Sequence, residues 1–230
     1  MEICGLQKLT ALDYPGRIAC TVFTPGCNFR CPFCHNAALV TAGIMPEPME
    51  TEEIFDYLRK RQGLLDALVI SGGEPLLQPG LDEFVRQVKE LGYLVKLDTN
   101  GSMPDALRAV LEGGCVDYVA MDIKNSTEKY PLTCGVERVS MEKIKESISL
   151  IIGSGVDYEF RTTTVAQLHT EADFEAMGAM IKGAKRWFLQ NFVDSGGLIG
   201  SGLSAAPRAD MERFAAAARP FVENVEIRGI

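Results

Sequence analysis

The chain has 230 residues, 47% apolar and 23% charged, with a formal charge of −8. It suits one soluble globular domain over 1–230, because single cores reach roughly 250 residues before they split. The acidic balance argues against nucleic acid as the main substrate, since phosphate contacts need a Lys/Arg surface. No stretch approaches the ~20 apolar residues of a membrane helix. Met1-Glu-Ile-Cys-Gly5 also lacks the basic region and apolar core of a signal peptide. A cytoplasmic protein with neither membrane nor nucleic-acid partner is expected.

Residues 17–23 read as the first strand, and a cysteine-rich loop leaves its C-terminal end. Residues 49–62 read as a helix, with Thr51 as cap, Glu52 and Glu53 in its first turn and Arg59, Lys60 and Arg61 in its last. The short apolar strand 67–71 runs into Gly72-Gly73-Glu74-Pro75. On helix 81–91, Leu81, Phe84, Val85, Val88 and Leu91 share one face, and Gly92 stops it. Strand 93–98 delivers Thr99-Asn100-Gly101, and Pro104 opens the next helix. Strand 116–123 ends at Asp122-Ile-Lys124, and Ser140 caps a helix running to 152. Strand 157–165, helix 170–182, strand 186–192, helix 207–218 and strand 224–228 complete the chain. The glycine-rich stretch 194–202 is a long loop of a kind that is often functional.

Alternating strands and helices imply parallel pairing through right-handed crossovers. Six strand–helix units are too few to close a full barrel. Cys27–Cys34, Gly72–Pro75, Asp98–Gly101 and Asp122–Lys124 each follow a strand. Ligand sites in parallel α/β architectures gather at that edge, so these segments are expected to converge.

Seven cysteines, an odd number with three clustered, point to reduced thiols and a metal site. Cys4, Cys20, Cys115 and Cys134 stand alone and read as buried structural thiols. Cys27, Cys31 and Cys34 are spaced C-x3-C-x2-C. A cuboidal cluster takes a thiolate at each iron, so this set suggests a four-iron cluster with one iron open to a small molecule. A zinc site completed by His35 is the alternative, and redox thiols are a third reading. Gly72-Gly73 is either a turn or a point of close backbone approach. Asp98 and Asp122 are ligand contacts or solvated loop carboxylates. Lys124 lies two residues after Asp122, on the same side of an extended chain. Phe33 alone would be core packing. Arg161 reaches the site or pairs with a carboxylate, and His169, just before the cap Thr170, reads as a surface residue.

The motif with Phe33 before Cys34 resembles the signature of the radical S-adenosylmethionine (SAM) superfamily. Cys34-His35-Asn36 resembles the glycyl-radical-enzyme activases. The run Gly5-Leu-Gln-Lys-Leu-Thr-Ala-Leu-Asp13-Tyr-Pro-Gly16 is most similar to activating proteins of anaerobic ribonucleoside-triphosphate reductase. The resemblance covers most of the chain and implies an open (β/α)6 partial barrel. It also implies a [4Fe-4S] cluster on Cys27, Cys31 and Cys34, with SAM at the open iron. The reduced cluster would cleave SAM to methionine and a 5′-deoxyadenosyl radical, which takes hydrogen from a glycine Cα of a partner enzyme. The large subunit of anaerobic ribonucleotide reductase is the expected partner, and a flavodoxin- or ferredoxin-type protein the electron donor.

Carried onto this sequence, Gly73 meets the SAM amino group, with Glu74 adding charge or orienting the loop. Asp122 accepts from ribose hydroxyls and Lys124 pairs with the methionine carboxylate. Phe33, His35 and Asn36 flank the adenine. Asp98-Thr99 with Asp122 resembles a monovalent-cation site found in one branch of the family. Two departures stand out. Pyruvate formate-lyase activases carry a SAM-contacting histidine after the sixth strand, where this chain has Phe192-Val193, and no cysteine-rich insertion is present to hold extra clusters. A radical SAM enzyme acting on a small molecule is the second reading, and a non-catalytic zinc or electron-transfer module belongs to another class.

Overall fold

The computed structural model describes residues 1–41 and 45–230. Among these residues the elements are β1 (Gly5–Thr10), β2 (Ala19–Thr24), α1 (Ala37–Val40), α2 (Thr51–Arg61), β3 (Ala67–Gly72), α3 (Leu81–Glu90), β4 (Leu94–Thr99) and α4 (Pro104–Glu112). They continue with β5 (Tyr118–Asp122), α5 (Tyr130–Cys134), α6 (Met141–Gly153), β6 (Asp157–Thr164), α7 (Glu171–Met180), β7 (Arg186–Asn191), α8 (Arg208–Ala218) and β8 (Asn224–Arg228). All the strands lie in one sheet in chain order, with β1 and β8 as its free edges, so the barrel is open. From β2 to β8 every pairing is parallel, and β2–β7 are the staves of the expected (β/α)6 partial barrel.

Parallel strands covered on both faces require continuous apolar runs. Ala67, Leu68, Val69 and Ile70 of β3 are accordingly all fully buried. The helices bury one stripe each. On α3 this stripe is Leu81, Phe84, Val85 and Val88, while Asp82 and Glu83 favour the positive end of the helix dipole in its first turn. Among the described residues no helix is long and apolar enough to cross a membrane.

The short helix α1, just after the cysteine loop, and three further local features differ from the sequence expectation. β1 is an additional strand, antiparallel to β2. Gln7, Lys8 and Leu9 on it are exposed, as suits an edge, so it lacks the apolar run that marks its neighbours. α5 is also additional, a single short turn with a proline near its start. Thr51 is the first residue of α2 rather than its cap, and the preceding Glu50 makes no side-chain capping bond. Ser140 does cap α6 by accepting from the Lys143 amide, and Thr170 forms a reciprocal capping box with Asp173 on α7.

The two ends of the barrel are built differently. At the N-terminal ends of the strands, Tyr14 folds over Tyr118 with ring centroids 5.4 Å apart. Together with Ala19, Ala67 and Val69 these rings form a small apolar plug. The polar strand-end segments are all at the opposite end.

Candidate active site

The cysteine loop begins where β2 ends and is fixed from three sides. The Gly26 amide donates to Leu39 O at 2.8 Å, and the Arg30 amide donates to Cys134 O, also at 2.8 Å. The Arg30 guanidinium folds back to Cys27 O at 2.6 Å and Phe29 O at 2.8 Å. From the far end of the chain, the Gly200 amide reaches Pro32 O at 2.8 Å, which docks the loop after β7 onto the cysteine segment.

The glycines after β3 serve this packing. The Gly73 amide donates to Thr24 O at 2.9 Å, and the Glu74 amide donates to Gly26 O at 2.8 Å. A β-carbon on Gly72 would fall 2.4 Å from the Thr24 backbone, and one on Gly73 would fall 1.8 Å from Gly26 O. Gly72 also has φ of +117°, which a side chain disfavours. The close approach expected of Gly73 is therefore real, but its observed partner is the cysteine loop. Glu74 is not on the cavity wall. It is fully buried, accepting from Asn100 N at 2.7 Å, Thr99 Oγ1 at 2.8 Å and Leu76 N at 3.2 Å. Burial outweighs these donors and pushes its pKa up to about 7. The orienting role is the one its geometry supports.

Cys27, Cys31 and Cys34 line one cavity together with Phe33, His35, Asn36, Gly73, Asp98, Asp122 and Lys124. Every expected site residue except Glu74 is thus brought to the same wall. The Cys27 sulfur already accepts the Phe29 amide at 3.3 Å and the Asn100 side-chain amide at 3.7 Å. Burial nevertheless pushes the Cys27 thiol up to about 11 and raises Cys34 as well. The neighbouring Cys134 thiol lowers the pKa of Cys31, against the effect of burial. Three thiols on one wall, with amide donors and the Lys124 cation nearby, fit a thiolate-bound iron–sulfur cluster. The zinc alternative finds no ligand group, since no three or more His, Cys, Asp or Glu among the described residues are placed to hold a single metal ion. His35 Nε2 lies 2.9 Å from Val193 O, and its ring stacks on Phe192 at 6.0 Å between centroids. Phe192-Val193, which stands where some activases have a histidine, therefore holds His35 in place.

Lys124 Nζ is 2.9 Å from Asp122 Oδ2 and 5.9 Å from the centre of the Phe33 ring. Arg161 on β6 joins the two carboxylates, with Nε 3.1 Å from Asp122 Oδ1 and Nη1 3.4 Å from Asp98 Oδ2. Burial opposes ionisation of both, but the neighbouring cations prevail. Lys124 and Arg161 bring Asp122 down to about 2, and Arg161 and Lys96 lower Asp98. Asn36 Nδ2 donates to Gly72 O at 2.7 Å, tying the cysteine segment to the glycine turn.

His169 is not on the surface but 3% exposed. Its Nδ1 accepts from the Val165 amide at 3.1 Å, so the proton is on Nε2, which donates to Lys124 O at 2.9 Å. Burial pushes its pKa down, and it acts as a neutral clip on the backbone that carries Lys124. Cys4, Cys20 and Cys134 are buried as expected, with Cys134 against Cys31, whereas Cys115 is only partly buried. Sequence reasoning did not assign Asn100 or Lys96. Asn100 follows β4 at the same strand edge, and Lys96 shares a strand face with Asp98 two residues later.

The radical SAM superfamily pattern matches residues 21–181. A protein of Methanocaldococcus jannaschii described as a glycyl-radical enzyme activating enzyme is 33% identical over 240 aligned positions, covering 99% of this chain and 96% of its own. A 7-carboxy-7-deazaguanine synthase of Methanopyrus kandleri is 32% identical, but over only 51% of this chain and 56% of its own. Among solved structures, SuiB of Streptococcus suis bound to the precursor peptide SuiA superimposes with a TM-score of 0.66. That match has 15% identity and covers 91% of this chain and 48% of the other.

Proposed function

This chain belongs to the radical SAM superfamily, and we propose that it installs a glycyl radical on a partner enzyme, the large subunit of anaerobic ribonucleotide reductase. The observation that carries this reading is the shared cavity, where three cysteines from the loop after β2 face Gly73, Asp98, Asp122 and Lys124 from the next three strand ends. In this reading residues 1–230 form one radical SAM domain working in the cytoplasm, with a flavodoxin- or ferredoxin-type donor supplying electrons. When bound, the [4Fe-4S] cluster and SAM supply one-electron reductive cleavage of the sulfonium and an adenosyl radical able to take a glycine hydrogen.

Cys27, Cys31 and Cys34 hold the cluster. Lys124 draws in the methionine carboxylate, and Asp122, kept ionised by Lys124 and Arg161, accepts from ribose hydroxyls. Phe33, His35 and Asn36 form the wall for the adenine, with Val193 O and Gly72 O holding His35 and Asn36 in their poses. Glu74 supports that wall from beneath. The segment 194–202 is held to Pro32 of the cysteine loop through Gly200, and in this reading a partner's loop enters beside it. The test is anaerobic reconstitution followed by a SAM-cleavage assay with and without the candidate partner. Slow cleavage alone and faster cleavage with the partner is the expected result. Cleavage indifferent to every glycyl-radical enzyme and accelerated by a small molecule would overturn the proposal.

A further inference from the structure

Lys96 is a lysine inside the barrel, with a side chain 1% exposed and Nζ 2.5 Å from Asp98 Oδ1. A buried ammonium costs several kcal/mol in lost hydration, so it persists only where its countercharge is close. No step of the proposed reaction uses it, but it completes a pattern around the two carboxylates of the site.

Every oxygen of that pair has a donor from the protein. Asp98 Oδ1 takes Lys96, and Asp98 Oδ2 takes Ser71 Oγ at 3.0 Å and Arg161 at 3.4 Å. Asp122 Oδ1 takes Arg161 at 3.1 Å, and Asp122 Oδ2 takes Lys124 at 2.9 Å. Thr99 Oγ1 is committed too, donating to Glu74 at 2.8 Å and accepting from Gly101 N at 3.1 Å. Asp98, Thr99 and Asp122 are the side chains that suggested a monovalent-cation site. A sodium or potassium ion needs several oxygen ligands, and here each of these oxygens already carries a donor from the protein, Asp98 Oδ1 the Lys96 ammonium itself.

Charge leads to the same conclusion. Three cations, Lys96, Lys124 and Arg161, are paired with two carboxylates, Asp98 and Asp122, which leaves one positive charge in excess. A dissolved cation beside Asp98 and Asp122 would double that excess. Without Lys96 the five-group set becomes four, neutral, and gains a space beside Asp98 Oδ1.

We propose that Lys96 is a built-in cation of this site, taking the place of a dissolved monovalent ion, so that SAM binds without sodium or potassium. The inference rests on the SAM-site reading above. It is tested by measuring the Kd for SAM on the reconstituted protein in tetramethylammonium chloride and in NaCl or KCl of equal ionic strength. The wild type is expected to bind equally in all three, within about twofold. Lys96→Met is expected to bind at least about tenfold more weakly in tetramethylammonium and to be restored by sodium or potassium. Sodium NMR relaxation on the protein without SAM gives a second readout, with specific sodium binding expected in Lys96→Met and none in the wild type. Wild-type SAM binding that requires sodium or potassium, or specific sodium binding to the wild-type protein, would overturn the inference. SAM binding in any of the salts preserves the SAM-site reading whichever way the cation result falls.

Discussion

Gly73 is packed against Gly26 so tightly that a β-carbon on Gly73 would lie 1.8 Å from the Gly26 carbonyl oxygen. The glycine turn after β3 and the cysteine loop after β2 therefore form one unit, joined by two backbone hydrogen bonds from Gly73 and Glu74. Disturbing one displaces the other.

Gly73→Ala is accordingly expected to destabilise the protein by about 1–3 kcal/mol, the usual cost of overpacking, and to lower the iron retained after reconstitution. Gly153→Ala is the control, because a β-carbon there meets nothing within 4 Å. Denaturant midpoints and iron content of the two variants check this. Equal behaviour would show that the two loops move independently.

The ligand set gives a second prediction. Changing Cys27, Cys31 or Cys34 to Ala is expected to abolish cluster assembly, whereas Cys134→Ala is expected to retain iron, although Cys134 lies against Cys31. Iron analysis with Mössbauer spectroscopy decides it. Loss of the cluster from a folded Cys134→Ala protein would make Cys134 a ligand.

Lys124→Ala is expected to weaken SAM binding by about 1.5–3 kcal/mol, the range for a hydrogen bond to a charged group. The spectrum of the cluster without SAM is expected to stay the same. Calorimetric titration with SAM measures the loss, and unchanged affinity would remove Lys124 from the binding site.

Glu74 provides a pH signature. Its folded pKa, about 7, lies above the ordinary value of 4.5. The folded state therefore binds this proton more tightly than the unfolded state, and stability from this group falls as pH rises from 4.5 to 7. His169, whose pKa is lowered by burial, acts in the opposite sense near its ordinary 6.5. The quantity to measure is therefore the difference between wild type and Glu74→Gln in unfolding free energy of the apoprotein across pH. That difference is expected to change between 4.5 and 7 and to level off above. A difference independent of pH would mean that Glu74 keeps an ordinary carboxyl pKa.

The sequence revealed most of this architecture where burial leaves a simple pattern. The run Ala67-Leu-Val-Ile70 is buried on both faces and could be read as a parallel strand without a structure. β1 could not, because an edge strand with Gln7, Lys8 and Leu9 exposed carries no such pattern. The strand-end rule brought Cys27–Cys34, Gly73, Asp98, Asp122 and Lys124 together correctly. It could not tell which of them touch one another, and so it missed that Glu74 lies beneath the wall and that Gly73 packs on Gly26. His169 reads as a surface residue because a residue before a helix cap is commonly solvated. Here its ring turns inward to the Val165 amide and Lys124 O. Lys96 was overlooked because a lone lysine in an apolar strand has no local signature, and only the spatial closeness of Asp98 explains it.

In the proposed reaction the radical generated in this cavity ends on a glycine of another protein. The most direct measurement is electron paramagnetic resonance on the anaerobic ribonucleotide reductase large subunit after incubation with reconstituted enzyme, SAM and reductant. A glycyl-radical signal on the partner is predicted, and it is predicted to vanish when the partner's radical glycine is replaced by alanine. An organic radical that accumulates unchanged on the alanine-substituted partner would contradict the account.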